Sequence, residues 1–590
     1  MKFCPECGQR LAISGYCSGC NIQYGEGQGQ GTRQQRAEFQ IFKDFEFEPM
    51  PDGTIFLKRC KNTTLDSVVI PPEVSALGEH CFSECKKLTS VVFEGKMERI
   101  PRGAFCGCSA LEEITWPQGL ATIEGWAFRE CIALEEITIP DGVYCIGNEA
   151  FFGCSALDTV SVPPSLMRVE VDAFAECFDL FEVNISDLAA WCEICFENEK
   201  ASPLCAQGDL CLNGEEIEEL RIPEGVYTLK EFAFLNCDLI ESVHLPASLG
   251  LISPLAFYHC CGIEKITVAK GNSSFRTVEG GRFLLCKNDL VLAAADVEEL
   301  PDCIERVRAG AFSTGTDIVN LEIGDTVRLQ SSAFVGLEGI EMLTAPVDCL
   351  SLHILFTYEC RGYRVGRVPS YFDTLELYGT GAFEGNMLGE CKRIDTLRLK
   401  EGYSSIGKLE LCCVEEISTL ILPKSLTEIG AVGTTFNRVK HFTIAPGGCF
   451  EMQDGCLVHA AKRFLIASFQ STKIPSDVRG IAPYAFFGNE RIRELYIGNH
   501  VTTVKKKAFA NCPNLERVTI GPSVCEIYCD AFLGDNKLQD IVMQEVHAWD
   551  KIPRFGREVR VAPKWDPGVP HWLRILTISY NPDYERIVRR

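Results

Sequence analysis

Residues 139–160 read Ile139-Pro140-Asp141-Gly142-Val143-Tyr144-Cys145-Ile146-Gly147-Asn148-Glu149-Ala150-Phe151-Phe152-Gly153-Cys154-Ser155-Ala156-Leu157-Asp158-Thr159-Val160. The Pro-Asp-Gly run is a turn, because Pro fixes φ and Gly accepts a positive one. Downstream, Leu157-x-x-Val160-x-Val162 alternates as a half-buried strand does, with the residues between pointing outward. Moving outward from this stretch, an Ala-Phe or Cys-Phe pair recurs with its Phe at 82, 105, 128, 151 and 174, a step of 23. It resumes at Phe234 and Phe257, at Phe312 and Phe334, and at Phe486, Phe509 and Phe532. Strand patterns follow these pairs, as in Leu111-x-x-Ile114-x-Trp116 and Leu134-x-x-Ile137-x-Ile139, and turns such as Ile222-Pro223-Glu224-Gly225-Val226 reverse the chain. A unit this short cannot bury its apolar face alone, so the repeats predict stacked coils. The expected fold is a repeat solenoid, mostly β with short turns and helical segments.

Composition agrees. The 590 residues are 46% hydrophobic and 23% charged, which excludes collagen-like, disordered and coiled-coil chains. With 57 Lys plus Arg against 81 Asp plus Glu, the net charge of −24 argues against a chain-wide surface for nucleic acid or anionic membrane. The 32 cysteines are roughly 5% of the chain, below the level of a secreted disulfide scaffold. The start Met1-Lys2-Phe3-Cys4-Pro5-Glu6-Cys7-Gly8 has no apolar stretch of signal-peptide length, and no run of about 18 apolar residues follows. These features predict a cytoplasmic location, reduced thiols and no membrane insertion.

The unit Ile-Pro-x-x-Val-x-x-Ile-x-x-x-Ala-Phe-x-x-Cys-x-x-Leu-x-x-Ile resembles the BspA-like leucine-rich repeat family over most of residues 39–545. The resemblance implies a leucine-rich repeat solenoid at 61–545, a capping hairpin at 39–60 with Asp52-Gly53 at its turn, and insertions near 186–214, 271–296, 347–375 and 446–470. Residues 395–445 depart from the repeat pattern. Residues 25–38 read as a flexible linker, polar and glycine-rich through residue 36. Beyond 545 the period is lost, and residues 551–590 carry nine Lys or Arg against four Asp or Glu, a cap or basic tail.

Cys4-x-x-Cys7 and Cys17-x-x-Cys20 form two knuckles whose four thiolates suit a closed tetrahedral zinc site. Gly8 and Asn21 follow the knuckles, where left-handed backbone is needed. Residues 1–24 resemble the short zinc ribbon found at the N-terminus of many bacterial proteins, which implies one structural zinc ion. Cys192, Cys195, Cys205 and Cys211 form a second group, which lacks that turn chemistry. Cys85, Cys108, Cys131, Cys154 and Cys177, with Cys237, Cys260 and Cys512, stand three residues after a repeat Phe and read as a structural ladder. Gly402 to Lys408 has the glycine and lysine spacing of a phosphate loop, but Leu409 stands where Mg²⁺ needs a hydroxyl. No Gly-x-Ser-x-Gly elbow occurs, and the nine His pair with no Cys or Ser, so no enzyme is expected.

What remains is surface. Outward positions line up as Ser90, Glu113, Glu136, Thr159 and Glu182 in one column and Val92, Thr115, Thr138, Ser161 and Asn184 in the next. Residues 25–550 carry −30, and stacked Glu113 and Glu136 would welcome a cationic partner. The function expected is a non-enzymatic scaffold that binds a protein or peptide through Glu113, Thr115, Glu136, Thr138, Thr159, Ser161 and Glu182, with a tethered zinc ribbon. The alternatives are adhesin-like surface binding, the role associated with secreted relatives, or nucleic-acid association through the ribbon and the tail, where Arg554, Arg557, Arg560 and Arg574 accompany Trp565 and Trp572.

Overall fold

The computed structural model describes residues 44–543 apart from 295–296, 316–317, 348–349, 407–413, 431–438, 470, 525 and 529, together with the backbone of Tyr16–Cys17 and Ile22–Gln23. Two compact units result, one of Met1–Asp296, Arg308–Thr316 and Glu359–Val365, the other of Val297–Val307, Asp317–Tyr358 and Gly366–Arg590.

The first unit opens with an antiparallel hairpin, Phe45–Pro49 against Ile55–Cys60. Its turn is held where Asp52 Oδ1 accepts the Thr54 amide at 3.0 Å and Gly53 takes φ +87°. Arg276–Val278, Phe283–Cys286 and Asp289–Ala293 form an antiparallel hairpin system, while most coils after the opening hairpin contribute two short parallel strands. The longer ones pair as Ser67–Ile70, Ser90–Phe93 and Glu113–Thr115, then as Glu136–Thr138, Thr159–Val162, Glu182–Ile185 and Asp209–Leu212. The shorter ones, Arg99–Ile100, Thr122–Ile123, Cys145–Ile146, Arg168–Val169 and Cys195–Phe196, make a second ladder. Between the two, the Ala-Phe turn bonds from coil to coil. The amides of Phe82, Phe105 and Phe128 donate to the carbonyls of Ala104, Ala127 and Ala150 at 2.7–2.8 Å.

The repeat Phe is the core. Phe82, Phe105, Phe128, Phe151 and Phe174 are buried and stack with centroids 5.2–5.4 Å apart and planes 5–12° from parallel. Burying each ring is worth about 2–3 kcal/mol, and each stacked neighbour adds on the order of 1. The cysteine three residues on completes the turn. The thiols of Cys108, Cys131, Cys154 and Cys177 donate to the carbonyls of Phe82, Phe105, Phe128 and Phe151 at 3.1–3.3 Å, one coil back in each case. A small, weakly polar side chain with one donor meets both demands of this interior site.

The insertion after Ile185 keeps this logic. Asp187 Oδ1 caps the helix Leu188–Cys192 by accepting the amides of Ala189 and Ala190, and the buried Trp191 indole donates to the Ala233 carbonyl at 2.7 Å. Cys205 takes the next rung of the ladder, with its thiol on the Phe174 carbonyl at 3.4 Å.

In the second unit, Asn320–Glu322, Met342–Pro346, Tyr371–Tyr378, Arg393–Leu399, Glu416–Leu422 and Val439–Ile444 form one parallel sheet. Its register aligns Leu321, Leu343, Leu375, Leu397, Leu420 and Phe442. The coil rhythm therefore continues on Arg393–Leu399, Glu416–Leu422 and Val439–Ile444, where the sequence pattern breaks down, because these longer strands carry it without an Ala-Phe marker. A hairpin system of Phe450–Gln453, Cys456–His459 and Phe464–Ser468 follows. The stack of Phe486, Phe509 and Phe532 then resumes at 5.0 and 5.3 Å.

Candidate binding surface

Outward side chains on the longer strands of the first unit are positioned by strand pairing. Register places Glu136, Thr159, Glu182 and Asp209 in one row and Thr138, Ser161, Asn184 and Cys211 in the next. Glu113 and Thr115 belong to the preceding sheet, in rows with Ser90 and Val92. The expected unbroken columns are thus corrected to two segments that part between Glu113 and Glu136. At that junction the Trp116 indole N–H donates to the Thr138 carbonyl at 2.7 Å. Glu113, Thr115, Glu136, Thr138 and Glu182 are exposed, whereas Thr159 and Ser161 are half-buried.

One residue ahead of these rows runs a ridge where each strand starts. Along it the backbone links Glu135 to Asp158 and Phe181 in turn, through amide donors at 2.8 and 3.0 Å, and the Phe181 carbonyl then accepts the amide of Asp209, a member of the row itself, at 2.7 Å; farther on Glu218 is linked to Glu241 and Glu264 at 2.9 Å each. Among the described residues, Glu135, Glu136, Asp158, Glu182, Asp209, Glu218, Glu241 and Glu264 have no ion pair. Burial, and secondarily the charge of Asp238, pushes the Asp209 carboxyl above the usual carboxylate range. The ridge is acidic and uncompensated.

Phe178 and Phe181, which the sequence reading passed over, are 66% and 62% exposed beside that ridge. Register carried the signal: four residues after the repeat Phe stand Lys86, Ser109, Ile132 and Ser155 before Phe178, and seven after it Thr89, Glu112, Glu135 and Asp158 before Phe181.

The sites with potential chemistry resolve differently. Burial pushes the thiols of Cys108, Cys154, Cys192, Cys205 and Cys512 up to about 12, so these side chains are poor nucleophiles. In the second cysteine group, Cys192 is buried in its helix, Cys205 is a ladder rung, Cys211 pairs in strand with Asn184, and Cys195 lies 2.8 Å from an Arg361 guanidinium nitrogen. Among the described residues no group of three or more potential metal ligands occurs. Cys4, Cys7 and Cys20 lie outside the described residues, and of Cys17 only the backbone is described, paired antiparallel with Ile22. The tail arginines and tryptophans also lie outside them. Residues Tyr403–Ile406 of the apparent phosphate loop form a coil strand paired in parallel with its neighbours, and residues 407–413 are outside the described set. Among the described residues, no helix is long and apolar enough to cross a membrane.

Residues 75–202, 208–341 and 460–551, more than half of the chain, match the BspA type leucine rich repeat region. The chain belongs to this family. No functionally curated protein matches it. Solved structures similar to this BspA-type chain include a leucine-rich repeat protein of T. pallidum, at 22% identity over 38% of this chain and 83% of that one with a TM-score of 0.24. Another is a leucine-rich cell surface protein of Faecalibacterium prausnitzii, at 16% identity over 86% and 96% with a TM-score of 0.23. A third, from Bacteroides ovatus, has 19% identity over 65% and 94% with a TM-score of 0.30.

Proposed function

We propose that this BspA-type chain is a non-enzymatic scaffold that binds a protein or peptide on the acidic strand-start ridge of its first unit. The observation that carries the reading is the run of exposed and half-buried carboxylates without ion pairs among the described residues, which repel one another and are relieved by a cationic surface. A polyanion would meet the same charges as repulsion, which speaks against nucleic acid as the partner on this face. Cys4, Cys7, Cys17 and Cys20 would hold one structural zinc ion in a tethered module, a donor set suited to a closed tetrahedron. The free thiols of the described cysteines fit a reducing, cytoplasmic setting.

The test compares the full chain with a Glu135→Lys/Glu136→Lys/Glu182→Lys variant as affinity baits, at low and high salt. A specific partner retained by the wild-type chain, released by salt and lost from the equally folded variant is the expected result. Identical retention by both baits would remove the ridge as the binding face. Metal analysis of the purified chain should give one zinc, lost on replacing Cys4 and Cys7 by Ser.

A further inference from the structure

The acidic ridge is interrupted at one coil by aromatic side chains. Phe181 sits on the backbone ladder between Asp158 and Asp209, and Phe178 lies three residues earlier on the same coil. Exposed aromatic rings are ordinary when single, but two on one turn cost the free protein apolar surface in water. On the next coil the position beside Phe181 carries no side chain. Gly208 stands there, and a Cβ at that position would lie 2.7 Å from the Leu180 carbonyl oxygen and 3.0 Å from the Phe181 carbonyl carbon. The glycine lets two backbones close together and keeps the ledge beside Phe181 bare. Around the pair stand Glu176, Asp179 and Glu182, all exposed, with Asp158 and Asp209 half-buried on either side. Among the described residues none of these five has an ion pair.

We propose that Phe178 and Phe181, rimmed by Asp158, Glu176, Asp179, Glu182 and Asp209, form a docking site for a basic peptide segment of a partner protein that carries an apolar anchor. This rests on the scaffold reading above and narrows it to one coil and one ligand chemistry. Aromatic side chains ringed by groups that exclude water are where interface energy concentrates, and the surrounding charge selects the sign of the partner. An acidic or uncharged apolar segment would bury the rings yet leave the carboxylates desolvated and unpaired, which is costly. A purely basic segment would satisfy the charges and leave the rings wet.

The experiment titrates fluorescein-labelled peptides into the full chain and follows anisotropy. Three short probes are used: a Lys/Arg-rich peptide with two central leucines, the same peptide with serines at the centre, and a Glu-rich peptide with the leucines. The first is expected to bind, and each of the others to bind at least about tenfold more weakly. A Phe178→Ser/Phe181→Ser variant should lose about tenfold for the first probe and be unchanged for the second, with circular dichroism as the check that exposed substitutions leave the fold intact. If the double variant binds the first probe as tightly as the wild type while Glu135→Lys/Glu136→Lys weakens it, the aromatic site is overturned and the acidic scaffold stands. If the first probe binds no better than the Glu-rich one, both fall. Concentration-dependent self-association abolished by the double variant would assign the rings to a second copy of the chain and likewise overturn the proposal.

Discussion

Asp535 stands at the position that Cys512 fills one coil earlier, three residues after the repeat Phe, and it is 5% exposed. Its Oδ1 accepts the Cys512 amide at 2.6 Å, but among the described residues its buried Oδ2 has no partner. Burial raises its carboxyl to about 8, against the opposing pull of the Cys512 amide. The folded chain therefore holds a proton there that the unfolded chain releases near pH 4. Stability is full below that value, falls by about 1.4 kcal/mol per pH unit as pH rises, and levels off above about 8. At neutral pH the penalty reaches on the order of 4 kcal/mol. That is a ceiling, since opening only the last coil rehydrates the carboxylate. Asp535→Asn keeps the acceptor and removes the ionisation. Asn489 already fills the same place at Phe486, where its Oδ1 accepts the Arg491 and Ile492 amides and its Nδ2 donates to the Ser471 carbonyl. Hydrogen exchange of Arg517–Ile520, corrected for intrinsic rates, should show opening that grows between about pH 5 and 8 in the wild type and is flat in the variant. Equal pH dependence in the two chains would refute a protonated, buried Asp535.

Three further outcomes are expected. Phe128→Ala, which removes a buried ring stacked on two neighbours, should cost about 3–5 kcal/mol and raise exchange in the adjoining coils first, as read by urea titration and exchange together. Gly107→Ala should lower stability by about 1 kcal/mol, because φ is +74° and the new Cβ would lie 2.5 Å from Glu84 Oε1. Glu130→Gly, at φ +60° on the next coil, should be neutral or slightly stabilising, so the two melting shifts differ in sign or size. Iodoacetamide at mildly alkaline pH should label exposed Cys303 well before Cys108, Cys154 or Cys512, by peptide mapping of the native chain. Fast labelling of the ladder would mean that the coils breathe open.

The coils were readable because one dipeptide, Ala-Phe, does the same job every 23 residues: the ring stacks and the preceding carbonyl bonds to the coil before. Where the job passes to other residues the sign disappears. Leu375, Leu397 and Leu420 align in register as well as any Phe, but Leu is too common for its recurrence to stand out. Cys205 belongs to the ladder through a three-dimensional contact that the insertion hides. The surface columns part where the Trp116 indole bonds to the Thr138 carbonyl, a junction that strand alternation cannot express. Phe178 and Phe181 were visible once the coils were aligned, since a ring replaces a mostly polar side chain at a known outward place. The four-cysteine module was read entirely from spacing and turn residues, and those thiols lie outside the described residues.

Two backbone sites flank the repeat Phe in left-handed conformation, two residues before it and two after. Glycine fills them at Gly103, Gly107 and Gly153, but His80, Glu84, Trp126, Glu130, Glu149, Asp172 and Glu176 hold the same angles. Each non-glycine residue there costs about 1 kcal/mol, so the conformation comes from the neighbouring coils and not from the residue that adopts it. The turn face is in effect a row of interchangeable slots. Each coil displays an acid, an aromatic or an imidazole at a modest and local cost, and the vocabulary of that face can be rewritten one slot at a time without touching the core beneath.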